Sequence, residues 1–141
     1  MEKARIFTQL TRLNKPIGIL LLFWPCAWGL TLAYNFTGNI DLYFKHIALF
    51  FFGSVLMRSA GCIFNDIADK NFDRKVLRTK ERPIASGKIS VFEAYIYIIF
   101  LCLMAFFILL QFNALTIILG MSSMIFAFAY PFMKRITYWP Q

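Results

Sequence analysis

An all-α bundle of membrane-crossing helices is the fold class that this sequence predicts, and three observations predict it. The chain is 60% hydrophobic and 18% aromatic, with a mean hydropathy of +0.63. That is too apolar for an ordinary water-soluble domain. Four apolar segments, at about residues 17–34, 47–64, 92–112 and 115–132, have about the length that crosses a hydrocarbon core of roughly 30 Å. Unpaired backbone groups are costly in lipid, so helices are the expected form. The third observation is where the bases fall. The amino-terminal segment, the connection at 65–90 and the tail hold thirteen Lys and Arg residues, whereas the two opposite connections hold only Lys45. Such one-sidedness belongs to a multispanning membrane protein with the basic side facing the cytoplasm. The formal charge of +8 by itself suits a nucleic-acid partner, but bases interrupted by apolar spans exclude that class.

Taken in order, the first fifteen residues are polar and basic. Ile6, Phe7, Leu10 and Leu13 give them the pattern of an amphipathic helix lying on the membrane. The first span follows Pro16, a residue suited to a helix's first turn, and contains Pro25, which predicts a kink. It is too long for a cleaved signal peptide and lacks a small-residue cleavage site. The second span is interrupted by Arg58. The very short connection at Asn113 makes spans three and four an antiparallel hairpin. Cys26, Cys62 and Cys102 share no metal-ligand spacing and read as buried free thiols. His46 is the only histidine and reads as a solvated or interfacial residue.

The chemistry lies where the second span ends, in Asn65-Asp66-Ile67-Ala68-Asp69-Lys70-Asn71-Phe72-Asp73. Three of the seven acids of the chain fall within this run. A continuing helix at about 100° per residue brings Asp66, Asp69 and Asp73 within roughly a 60° arc. Like charges on one face call for a cation. Mg²⁺ held by a few carboxylates commonly shares its remaining positions with phosphate oxygens and water. Pairing with Lys70, Arg74 and Lys75 in a solvated loop is the alternative. Arg58 lies eight residues before Asp66 and about 80° around the helix. An arginine within a span is either a functional group or one that snorkels to the interface. Arg78, Lys80, Arg82 and Lys88 follow, with Pro83 and Gly87 shaping the loop. These bases suit a diphosphate, and the positive-inside rule also accounts for them. The reaction that fits acids, bases and membrane together is ionisation of an allylic diphosphate, with the leaving group stabilised and water excluded. Trp24, Phe64, Phe72 and Tyr130 are candidates to face a carbocation, or ordinary packing residues.

The run Asn65-Asp66-x-x-Asp69-x-x-x-Asp73 resembles the first aspartate-rich motif of the UbiA superfamily of intramembrane aromatic prenyltransferases. Further segments extend the likeness over nearly the whole chain: Lys15-Pro16-Ile17-Gly18, Leu56-Met57-Arg58-Ser59-Ala60-Gly61-Cys62, Arg78-Thr79-x-x-Arg82-Pro83-x-x-Ser86-Gly87 and Tyr130-Pro131-Phe132-Met133-Lys134-Arg135. They are most similar to the branch that prenylates 4-hydroxybenzoate in ubiquinone biosynthesis. The resemblance implies a larger helical bundle of which four spans are present here. It implies a Mg²⁺-dependent transfer of a polyprenyl group from polyprenyl diphosphate to carbon 3 of 4-hydroxybenzoate, in a bacterial or mitochondrial inner membrane. By the same resemblance Asn65, Asp66, Asp69 and Asp73 hold Mg²⁺ and diphosphate, Arg58, Lys80 and Arg82 lie near the phosphates, and Arg135 is a candidate for the acceptor's carboxylate.

The family's second half, with a second aspartate-rich motif, has no counterpart within these residues. The last acid is Glu93, a poor substitute at the start of span three. The expectation is an amino-terminal portion of an enzyme, inactive alone. Another acceptor (naphthoate, homogentisate, haem) and a small ion- or lipid-transport subunit are the competing readings. The second calls for acids in several spans, and spans one, three and four have almost no charge.

Overall fold

A computed structural model describes residues 2–136, with side chains described for residues 3–133. Six helices follow one another: α1 Glu2–Thr11, α2 Ile17–Thr37, α3 Ile40–Ala68, α4 Lys70–Asp73, α5 Val91–Leu109 and α6 Ala114–Ile136. No strand occurs among the described residues. Helices α2, α3, α5 and α6 are each long and apolar enough to cross a membrane. Large apolar side chains such as Trp28, Leu32, Phe107, Ile118 and Ile125 are exposed along them. Apolar surface of this extent is stable only against lipid or another protein. The chain is an integral membrane protein built from helices.

The helix ends follow local chemistry. Gly38 closes α2 with φ +62°, and its N–H donates to the Tyr34 carbonyl at 2.8 Å. Asn39 then caps α3, its Oδ1 accepting from the Leu42 N–H at 3.0 Å, with Asp41 in the first turn. The cap lies outside the apolar window, so the second span starts well before residue 47. Ser90 and Glu93 form a capping box at the start of α5, and Asn113 Oδ1 accepts from the Thr116 N–H at 2.8 Å before α6. Helix α2 remains helical through Pro25.

Helix α3 is the hub, packing against α2, α5, α1 and α6. The core gathers at its carboxyl-terminal end. There Leu10 of α1, Ala60 and Ile63 of α3, Ile84 and Ile89 of the long connection, and Ala94 and Ile98 of α5 form one buried cluster. Ala60 and Ala94 are fully buried and small enough for a close approach of α3 and α5. At the other end the half-buried His46 stacks on Phe112, ring centroids 5.2 Å apart. The cysteines are free; Cys62 is buried, and Cys26 and Cys102 are half-buried. Phe64 joins α3 to α6 by edge contacts with Phe128 and Phe132.

Candidate functional site

The acidic run sits where the apolar core meets the polar end of the bundle. Asn65 and Asp66 are still helical, because α3 continues to Ala68. At Asp69 the backbone leaves the helical region, with φ −90° and ψ 1°, and a single further turn, α4, carries Asp73. The three acids therefore do not lie along one unbroken helix face. Asp66 and Asp73 are buried, whereas Asp69 is the half-buried junction residue.

Two arginines from distant parts of the chain converge on this pair. Arg82 Nη1 donates to Asp66 Oδ1 at 3.1 Å and to Asp73 Oδ2 at 2.8 Å. Arg12 Nη2 donates to the same Asp66 Oδ1 at 2.7 Å. The Asp66 side chain is only 3% exposed, so its charge is balanced by the guanidinium groups rather than by water.

Each arginine is held by its own element. Pro83, Ile84 and Ala85 are buried immediately after Arg82, so the connection is pinned to the core by its apolar residues. The Arg82 carbonyl accepts from both the N–H and the hydroxyl of Ser86 at 2.9 Å, and Gly87 turns the chain with φ +78°. Two more bonds close the loop: Arg74 Nε donates to the Ala85 carbonyl at 3.0 Å, and the Thr79 hydroxyl donates to the Asp73 carbonyl at 3.1 Å. Arg12 follows Leu10, which is fully buried, and adopts φ +56°. Such a left-handed conformation costs a non-glycine residue about 1–2 kcal/mol. Anchoring by Leu10 and the short bond to Asp66 hold it there.

The other expected residues are distributed around this centre. Lys80 is exposed on the same loop. Arg58 lies two turns back along α3, about 12 Å from Asp66, and is not part of the ion-pair cluster among the described residues. Its guanidinium lies against Gly18 in the first turn of α2. Arg135 lies outside the residues whose side chains are described. Of the aromatic candidates, Phe64 is committed to packing on α6, Trp24 makes a tilted contact with Phe23, and Phe72 and Tyr130 are exposed. Glu93 is occupied by the Ser90 capping box. The sequence reading missed Arg12 as a site residue, counting it only among the bases of the amino-terminal segment. Nothing local marks it; its contact spans 54 positions.

Two carboxylate oxygens reaching one cationic nitrogen form a hard-oxygen pair, which matches the one or two carboxylates that Mg²⁺ takes alongside substrate phosphates. Among the described residues no three acid, histidine or cysteine side chains converge as a ligand set. In this structure both carboxylates are paired with Arg82.

Comparison with known proteins identifies the family. The model of the UbiA prenyltransferase family matches residues 22–141. The chain is 49% identical over 139 residues to a 4-hydroxybenzoate octaprenyltransferase of Pseudomonas aeruginosa (strain LESB58), covering 99% of this chain and 46% of that protein. It is 46% identical over 140 residues to a mitochondrial 4-hydroxybenzoate polyprenyltransferase of Arabidopsis thaliana, covering 34% of that protein. A mitochondrial 4-hydroxybenzoate polyprenyltransferase of Drosophila melanogaster is 45% identical over 141 residues, with 36% of its length covered. The chain thus spans between a third and a half of the length of these relatives. No solved structure matches it. With four apolar helices and the family match over most of its length, the chain belongs to the UbiA prenyltransferase family.

Proposed function

We propose that this chain is the amino-terminal half of a membrane prenyltransferase domain that moves a polyprenyl group from polyprenyl diphosphate to 4-hydroxybenzoate. The convergence of Asp66 and Asp73 on Arg82 is the observation that carries the proposal. It is joined by the relatives' names. Asn65, Asp66, Asp69 and Asp73 would hold Mg²⁺ together with the diphosphate. Bound there, Mg²⁺ supplies neutralisation of the leaving group's charge.

The residues of the chain do the rest. Arg82 turns its planar fork from the acids toward phosphate oxygens, and Arg12 compensates Asp66 as the fork moves. Lys80 adds a mobile positive charge beside the leaving diphosphate. As the allylic C–O bond breaks, its electron pair leaves with the diphosphate. Carbon 3 of the acceptor then bonds to the prenyl carbon, and the ring proton passes to an oxygen of the released diphosphate. Arg135 is assigned to the acceptor's carboxylate. Apolar helix walls keep water from the cationic prenyl group. The amino terminus, the acidic run and the tail face the cytoplasm, in a bacterial or mitochondrial inner membrane.

The test is Asp69→Asn in the intact protein, assayed in membranes with labelled prenyl diphosphate and 4-hydroxybenzoate. Turnover should fall at least about a hundredfold, with the amount of inserted protein unchanged. Near-normal turnover would remove this carboxylate from the site.

A further inference from the structure

Arg12 is the single non-glycine residue with a left-handed backbone among the described residues, at φ +56°. An arginine gains nothing from that conformation, so its surroundings impose it. On one side Leu10 and Thr11 are buried, and the Thr11 hydroxyl donates to the Phe7 carbonyl at 2.8 Å. Phe7 in turn makes an edge contact with Tyr97 of α5, ring centroids 5.2 Å apart. On the other side the Lys15 N–H donates to the Arg12 carbonyl at 2.9 Å. Docking of α1, which is not one of the four apolar spans, thus fixes where this guanidinium stands.

The oxygen it meets is shared. Asp66 Oδ1 accepts from Arg12 Nη2 at 2.7 Å and from Arg82 Nη1 at 3.1 Å. A carboxylate oxygen offers about two lone-pair directions, and both go to N–H groups here. The two carboxylates of the cluster, Asp66 and Asp73, and its two guanidiniums, Arg12 and Arg82, have no net charge together. Both acids are buried, so water screens little of the repulsion between the arginines and an added dication. When Arg82 turns to phosphate oxygens, the cluster is left negative. One direction on Asp66 Oδ1 and the oxygen of Asp73 that Arg82 held then come free. Arg12, anchored through α1, keeps its place.

We infer that Arg12 is a built-in counter-ion that closes this acid pair to a lone divalent cation, so that the cation enters only with a diphosphate that draws Arg82 away. The amino-terminal helix is the element that delivers this charge. The inference rests on the proposed reaction for the diphosphate and goes beyond it in setting the order of binding.

The experiment uses Fe²⁺ as the divalent probe on the purified, intact protein, because Fe²⁺ with ascorbate and peroxide cuts the backbone next to where it is bound. Fragments ending between residues 65 and 73 report occupancy of the acids without turnover. In the parent, Fe²⁺ alone should give little cutting there, and inorganic pyrophosphate should raise it roughly tenfold or more. Arg12→Gln should be cut strongly by Fe²⁺ alone, with pyrophosphate adding less than about twofold. Arg12→Lys keeps the charge and should stay closed until pyrophosphate is added. Equal cutting of the parent with and without pyrophosphate, an Arg12→Gln that still needs pyrophosphate, or an Arg12→Lys as open as Arg12→Gln would each overturn the inference while leaving the proposed reaction intact. The first of these is read on the parent, so it holds even if a variant does not accumulate. No cutting at the acidic run in any protein, with or without pyrophosphate, would take the cation from these acids and refute both.

Discussion

Arg82 is the residue on which the two buried acids depend. It donates to both Asp66 and Asp73, whose side chains are 3% and 10% exposed. Removing its charge leaves Asp66 paired with Arg12 and takes from Asp73 its ion-pair partner among the described residues. Arg82→Gln should therefore destabilise the protein by about 3 kcal/mol, read as a lowered thermal midpoint in detergent. Lys80→Gln, on the exposed part of the same loop, is the control and should stay within about 0.5 kcal/mol of the parent. An equal loss in both variants would mean that general loop charge, not the bridge, is responsible. At this scale the sequence was partly readable. Asp66, Asp69 and Asp73 stood out because acids are rare in so apolar a chain. Arg12 did not, because one base among several in a basic segment carries no local mark.

The helices are set by their ends as much as by their apolar interiors. In α5 the Ser90 hydroxyl accepts from the Glu93 N–H at 3.1 Å, and the Glu93 carboxylate accepts from the Ser90 N–H at 3.0 Å. Both bonds satisfy donors that a helix start leaves open. Ser90→Ala should cost about 1 kcal/mol, measured by thermal unfolding, while Ser90→Asp should retain most of the stability. The four spans were readable from apolar length, yet their limits shifted where polar caps lay outside the apolar window. Asn39 moved the start of α3 to Ile40, and continued helical bonding carried its end to Ala68. The break at Asp69 had no sequence signal, because aspartate is common both inside helix ends and in turns. The three acids are consequently divided between α3, the junction and α4.

For the whole molecule, the ion pair between Arg12 and Asp66 brings the amino-terminal helix and the acidic run to one end of the bundle. The contact between His46 and Phe112 marks the opposite end. The asymmetry of Lys and Arg then predicts the orientation. In a background without native thiols, a cysteine at Lys88 should be labelled only from the cytoplasmic side and one at Asn39 only from the opposite side. Labelling of both from the same side would refute the topology. The sequence by itself determined that this chain has four segments long and apolar enough to cross a membrane, with an acidic run at the end of the second. Transfer into hydrocarbon depends on the composition and length of continuous segments, which a linear chain displays directly. Only the tertiary structure decided which bases meet which acids, and that Gly18 makes room for Arg58. Electrostatic and steric contacts depend on distance through space, and residues 54 positions apart have no shared pattern along the chain to announce it.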